Sequence, residues 1–299
     1  MIDLSYQSPE EELEFDFFND KNIKVYLKRD DLIHPFISGN KWRKLKYTLR
    51  RADNENKRHL VTFGGAYSNH ILATSCAAAK FGFKSTAFIR GEKVQNETLM
   101  LCKLFGMDLL FVDRESYRDK SKLFSKNFES NSEAYFIDEG GSGPEAVKGC
   151  AEIINELTQP YDHIFCASGT GATAAGILKG LQLSALTTRL HSVPVLKGAD
   201  FLKKEIEKFL PGSPAFEMHT NYHFGGYAKS NPTLFTFIHD FATSTGILLD
   251  PVYTAKMMFA LFDLIKHDYF TPGSKILAIH TGGLLGLLGM SKQMDLTKI

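Results

Sequence analysis

Residues 163–176 read HIFCASGTGATAAG: an apolar run, a glycine turn, then a run of small residues. Ile164 to Ala167 show no polar alternation, which predicts a strand buried on both faces. Ser168-Gly169-Thr170-Gly171 ends it, and a helix is expected from there to Leu183. A strand feeding a helix through glycine is one βα unit, and the unit recurs on both sides. HLVTFGG leads into HILATSCAAAKFG, STAFIRG into NETLMLCKLFG, DLLFVD into ESYRDKSKLFSKNFES, and AYFIDEGG into GPEAVKGCAEIINELTQ. Downstream, RLHSVPVL precedes KGADFLKKEIEKFL, and SKILAIH precedes a short glycine-rich helix. Upstream, KVYLKRDD has the character of a hairpin strand and KWRKLKYTLRRAD is an amphipathic helix. Such alternation predicts an α/β protein of open, twisted parallel sheets with helices on both faces.

The 299 residues suffice for two such domains. Hydrophobic residues are 43% and charged residues 23%, enough for a sizeable core. A net charge of +1 offers no broad field to nucleic acid or an anionic membrane, so anion binding has to be local. The N-terminus is acidic and lacks the apolar region of a secretory signal, and LLGLLGM is too short to span a bilayer, so a cytoplasmic protein is expected. Four scattered cysteines read as reduced core residues, and ten histidines without HExxH or HxH pairing indicate no metal site.

Glycine and hydroxyl residues cluster just after strands, at TFGGAYSNH, IDEGGSGPE, CASGTGATAAG and AIHTGG. Ligands of open α/β sheets bind beyond the carboxyl ends of the strands, so these loops predict one small-molecule site in a cleft between two sheets. Residues 168–173, SGTGAT, fit a phosphate cup: glycines allow close approach, a helix N-terminus supplies free N–H groups, and the threonines add hydroxyl donors. No Gly-Lys-Ser/Thr follows, and the third glycine stands at 176, so the match to a dinucleotide fingerprint is partial. A tight turn with an ordinary cap and a nucleotide-binding oxidoreductase remain open for this loop.

Ser68-Asn69-His70 is either a helix cap or a carboxylate site at a helix N-terminus. In Asp250-Pro251-Val252-Tyr253-Thr254, the tyrosine is either a buried aromatic or an acid/base group. Residues 38–46, SGNKWRKLK, carry Lys41, Arg43, Lys44 and Lys46. Lys41 and Lys44 share a helix face. They are either a solvated basic face or the place of a lysine that forms a Schiff base with an aldehyde cofactor beside its phosphate. Arg43 and Lys46 read as helix surface or local support.

SGNKWRKL, GGxxSNH, SGTGAT, DPVYT and IHTGG occur in this order and together closely resemble the pyridoxal-phosphate enzymes of the 1-aminocyclopropane-1-carboxylate deaminase and D-cysteine desulfhydrase family. The similarity runs from Lys28 to Gly283. It implies the tryptophan-synthase-β-like fold (fold type II), with residues 47–150 as a small domain and 1–46 with 151–299 as a large cofactor-binding domain. It implies that Lys41 bonds pyridoxal 5'-phosphate, with Lys44, Gly169, Thr170, Gly171, Ala172 and Thr173 around the phosphate and Asn69 on the ring hydroxyl. Ser68, Asn69 and His70 would receive the substrate carboxylate. Ser68, Tyr253 and Tyr227 would be catalytic candidates. Thr254 would face the ring nitrogen and Thr281 the substrate side, where the deaminases of the family resemble DPVYE and HLGG.

A hydroxyl at the ring nitrogen gives a milder electron sink than a carboxylate, which favours β-elimination over cyclopropane opening. The sequence departs from the family at Tyr67 and at Ile71 to Thr74, on the expected substrate side. The implied reaction is β-elimination from a small amino acid, D-cysteine giving pyruvate, ammonia and sulfide, in a homodimer. Ring opening of 1-aminocyclopropane-1-carboxylate and other fold-type-II dehydratase or racemase reactions are the rivals within the class.

Overall fold

The computed structural model describes residues 2–290. The chain opens with β1 (Glu10–Leu13), α1 (Asp16–Asp20) and β2 (Lys24–Lys28), then enters α2 (Asn40–Asn54). Four βα units follow: β3 (His59–Gly64) with α3 (Asn69–Phe81), β4 (Lys84–Arg90) with α4 (Glu97–Leu104), β5 (Asp108–Val112) with α5 (Lys120–Phe128), and β6 (Ala134–Ile137) with α6 (Pro144–Asn155). The second half adds β7 (His163–Ser168), α7 (Ala172–Leu183), β8 (Arg189–Pro194), α8 (Phe201–Phe209) and β9 (Glu217–Met218). It ends with α9 (Pro232–Thr245), α10 (Thr254–Lys266) and β10 (Lys275–Ile279), followed by a 3-10 turn at Leu284–Met290.

Two sheets result. One has the order β5-β4-β3-β6 and is wholly parallel. The other has the order β1-β2-β10-β7-β8-β9. It is parallel except at its edge, where β1 pairs antiparallel with β2, the hairpin expected of KVYLKRDD. The two-sheet α/β architecture is therefore present. Helix α9 and strand β9 have no counterpart in the sequence reading. No helix among the described residues is long and apolar enough to cross a membrane.

The larger sheet is buried on both faces, which is why β7 and β10 are apolar throughout. One face meets α9, α10 and the phenylalanines of the N-terminal segment, and the other meets α6 and α7. The smaller sheet shares a core with α3 and with Trp42, Leu45 and Leu49 of α2. Helices α2, α6 and α7 touch backbone to backbone at glycines. A Cβ at Gly149 would collide with the Arg43 carbonyl, and one at Gly180 would stand 2.7 Å from the Ala151 carbonyl oxygen. This contact, which no larger residue permits, sets the start of α2 beside the start of α7. The division expected at 46/47 and 150/151 falls inside α2 and α6, whose apolar residues pack into the smaller sheet's core and the larger sheet's core respectively.

Candidate active site

Three chain segments meet where α2 begins. Gly39 has φ +60°, and a Cβ there would collide with the Thr281 carbonyl, so only glycine fits. The Asn40 N–H donates to that carbonyl (3.3 Å), and its side-chain amide donates to Thr173 Oγ1 (3.0 Å). The turn after β10, the start of α2 and the first turn of α7 are thus tied together. Lys41 and Lys44 project from this junction into a recess of about 370 Å³, lined also by Asn40, Gly140, Ser168, Gly169, Thr170, Gly171, Thr173 and Tyr253. A second recess of about 290 Å³ shares Asn40, Lys41 and Tyr253 and adds Asn69, Thr281, Gly282 and Gly283.

The recess is built for an anion. Lys44 is buried and has one polar contact, to the Gly140 carbonyl at 3.3 Å. Among the described residues no carboxylate pairs with Lys41 or Lys44. Thr170 Oγ1 is buried with no hydrogen-bond partner among the described residues. Gly171 begins α7 in the left-handed conformation, φ +82°, which turns the first amides of that helix toward the recess. Two cations, an orphaned hydroxyl and a helix N-terminus without an acid match a phosphate ester.

Burial and the neighbouring Lys44 charge lower the Lys41 pKa to about 7, so much of this amine is free base at neutral pH and able to react with an aldehyde. Burial lowers Lys44 as well. The residues present therefore fit a phosphorylated aldehyde such as pyridoxal phosphate.

Tyr253 closes the recess from the far side. A Cβ at Gly169 would lie 3.1 Å from its ring, which explains that glycine. Burial, then Tyr227, raises the Tyr253 pKa well above its ordinary value, so the hydroxyl keeps its proton. Tyr227 stands edge-on to Tyr253 with ring centroids 6.1 Å apart, but its own side chain is exposed and lines neither recess.

The remaining sequence candidates take more structural positions. Ser68 caps α3, its hydroxyl accepting from the Ile71 N–H (3.3 Å), and Asn69 of the next position reaches the second recess. His70, expected on the substrate carboxylate, is turned into the core. Its Nε2 meets Thr62 Oγ1 at 2.7 Å, and that hydroxyl donates to the Ile137 carbonyl, so Nε2 carries the proton. Burial with Lys41 and Lys44 nearby holds His70 well below its ordinary pKa, as a neutral strut between α3 and the smaller sheet.

Thr254 lines neither recess. Its hydroxyl accepts the Asp250 N–H (2.7 Å), while Asp250 Oδ1 accepts the amides of Tyr253 (3.0 Å) and Thr254 (2.7 Å). This reciprocal cap starts α10 and fixes Tyr253. Ala172 is buried in α7 and contributes backbone only.

Of the two readings of Arg43, helix surface and local support, the structure fits the second. Arg43 is buried, with Nε and one terminal nitrogen on Asp30 (2.6 Å each), and both terminal nitrogens on Glu156 (2.8 Å each). Sequence reasoning gave no site role to Asn40 or Gly140, and Ser168 of the expected cup has a hydroxyl that accepts from Ser192 at 2.8 Å. The cluster IDEGGSGPE was the signal for Gly140.

The chain matches the family model described as "Pyridoxal-phosphate dependent enzyme" over residues 12–282. It is 32% identical to a putative 1-aminocyclopropane-1-carboxylate deaminase of Thermotoga maritima, over 91% of this chain and 92% of that one. It is 31% identical to a bifunctional D-cysteine desulfhydrase/1-aminocyclopropane-1-carboxylate deaminase of Arabidopsis thaliana, over 91% of this chain and 75% of that one. The crystal structure of a homologue of 1-aminocyclopropane-1-carboxylate deaminase superposes with a TM-score of 0.86 at 28% identity, covering 99% of this chain and 95% of the other. A match of this extent shows the family, and the chain belongs to the pyridoxal-phosphate dependent enzymes.

Proposed function

We propose that this protein is a lyase that eliminates the β-substituent of a small amino acid, as a D-cysteine desulfhydrase does, giving pyruvate, ammonia and sulfide. The observation that carries this is the uncompensated pair Lys41 and Lys44 facing the Thr170 hydroxyl and the N-terminus of α7. Pyridoxal phosphate, when bound, supplies an aldehyde for the substrate amine and a ring that takes up the electron pair left by the α-proton. Lys44, Thr170, Thr173 and the backbone of 169–172 hold the phosphate, Asn69 bonds the ring hydroxyl, and Lys41 holds the cofactor between turnovers. Asn69 and the first amides of α3 receive the substrate carboxylate, Ser68 keeps that helix end in place, and Thr281 lines the substrate side.

Lys41 Nζ, a base near neutrality, takes the α-proton. The Cβ–S bond then breaks and its electron pair leaves with sulfur, to which the Tyr253 hydroxyl gives a proton. The unsaturated amine that remains reacts with one water to give pyruvate and ammonia. Tyr227 shields Tyr253 from solvent. Thr254 acts in the cap with Asp250, which sets the Tyr253 backbone. A cytoplasmic homodimer, with the smaller sheet's domain closing on the larger one, belongs to the same reading and is supported by the family resemblance.

Ring opening of 1-aminocyclopropane-1-carboxylate, named for the Thermotoga and Arabidopsis relatives, is the second reading. Thr281, which lines the second recess where the resemblance gives the deaminases a leucine, argues against it. Borohydride reduction of the holoenzyme followed by peptide mapping tests the centre of the proposal: the phosphopyridoxyl group is expected on Lys41, and an adduct elsewhere refutes it. Assays for sulfide, pyruvate and 2-oxobutyrate then separate the two reactions, the last product alone overturning the desulfhydrase reading.

A further inference from the structure

Helix α10 buries another lysine that bonds no carboxylate among the described residues. Lys256, two residues beyond Thr254, is fully buried, and its Nζ donates to the carbonyls of His223 (2.9 Å) and Gly226 (2.8 Å). Burial lowers its pKa to about 8, against the pull of Asp250. The turn it grips has an unfavourable backbone. Phe224, Gly225, Gly226 and Ala228 have φ of 50°, 94°, 119° and 52°, and two of these four are not glycine.

The same two carbonyls close the turn. His223 O also accepts the Gly226 N–H (3.0 Å), and Gly226 O also accepts the Lys229 N–H (3.1 Å). Before the turn, the Tyr222 hydroxyl donates to Asp263 (2.7 Å) and Phe224 meets Phe259 edge-on at 5.0 Å. Lys256 instead grips the peptide next to Tyr227 itself. Helix α10 therefore carries Tyr253 at its start and, one turn on, the ammonium that holds the partner of Tyr253.

We propose that Lys256 is a positioning residue that fixes the 223–227 turn and so stands Tyr227 against Tyr253 at the mouth of the reactive cleft. This rests on the reading of Tyr253 and Tyr227 given above. Substituting Lys256→Met shortens the side chain by one atom, keeps it unbranched and apolar, and removes both hydrogen bonds to the turn. In the holoenzyme, amide hydrogen exchange across 224–229 is expected to rise at least about tenfold while α7 and α10 stay protected. Unchanged exchange there overturns the proposal.

Turnover provides the second readout. Lys256→Met is expected to lower kcat about tenfold with less effect on KM, and to cost nothing further in a Tyr227→Phe background. Losses that multiply independently also overturn it, because they place Lys256 outside the path through Tyr227. If Tyr227→Phe alone leaves kcat unchanged, the reading of Tyr227 fails, while the exchange measurement still decides whether Lys256 holds the turn. Should Lys256→Met not fold, Lys256→Leu carries both measurements, since it too removes both N–H donors to the turn and leaves an apolar side chain in the buried site.

Discussion

Helix α2 holds two kinds of cation within one turn, Arg43 and Lys44 buried and Lys41 half-buried. Arg43 is matched on both sides: its guanidinium meets Asp30 and Glu156, and Lys28 Nζ lies 3.6 Å from Glu156. Burial opposes its charge, but those carboxylates hold its pKa above the ordinary value. Among the described residues neither Lys41 nor Lys44 forms an ion pair, and burial lowers both, in Lys41 against the weaker pull of Asp250. The difference separates two uses of a positive charge. Arg43 is satisfied by the fold and ties α2 to β2 and α6. Lys41 and Lys44 are left for something the fold does not contain, which keeps one amine reactive and the other available to a phosphate.

The sharpest way to break this contrast is to remove one cation of each kind. Arg43→Met leaves Asp30 and Glu156 without their guanidinium, and loss of one partner from a buried ion pair costs about 3–5 kcal/mol. Urea unfolding of the cofactor-free protein is expected to show that loss. Lys41→Met removes a desolvated amine that nothing compensates, so the cofactor-free protein is expected to be as stable as the parent within about 1 kcal/mol, or more stable. The same variant is expected to lose turnover by at least about 10³-fold and to form no borohydride-stable adduct at position 41. Equal destabilisation by the two substitutions removes the distinction.

The next effect concerns the pair of lysines. Lys44→Gln takes away a charged donor from the phosphate, worth about 1.5–3 kcal/mol, so cofactor affinity is expected to fall about 10- to 100-fold. It also removes a positive neighbour from Lys41. Because that neighbour disfavours the protonated amine, its loss raises the Lys41 pKa from about 7. Cofactor loading needs the free amine, so its rate climbs with pH through that value in the parent and through a higher value in the variant. Stopped-flow absorbance across pH gives both midpoints, and coincident midpoints show that Lys44 acts on the phosphate alone.

What the sequence disclosed follows the same line between local and distant causes. The SGTGAT cup, the Ser68 cap and the glycine at 39 are local: a few adjacent residues set the backbone, and their types state it. The βα alternation is local too, which is why both sheets were readable. Arg43 was not, because its partners lie 13 and 113 residues away and helix periodicity alone places it among exposed cations. His70 was misplaced for a related reason, since the Thr62 hydroxyl that claims it belongs to the preceding strand. Helix α9 combines Phe235, Phe237, Phe241 and several threonines, residues with strand preference, and tertiary burial of its apolar side overrides them.

Thr170 gives the smallest effect and the most specific test of the contrast. Its hydroxyl is the neutral counterpart of Lys44: its oxygen is buried, it belongs to a residue lining the anion recess, and it has no partner among the described residues. An unmatched buried hydroxyl costs about 1–3 kcal/mol, so Thr170→Val, nearly the same shape, is expected to leave the cofactor-free protein as stable or to raise its unfolding midpoint. With pyridoxal phosphate bound the sign reverses. A neutral hydrogen bond worth about 0.5–1.5 kcal/mol is lost, and affinity for the cofactor falls about three- to tenfold. Unfolding curves with and without cofactor measure both arms on one sample. A variant that weakens the cofactor-free protein instead shows that Thr170 already has a partner, and the recess then loses its claim to be a site left open for an anion.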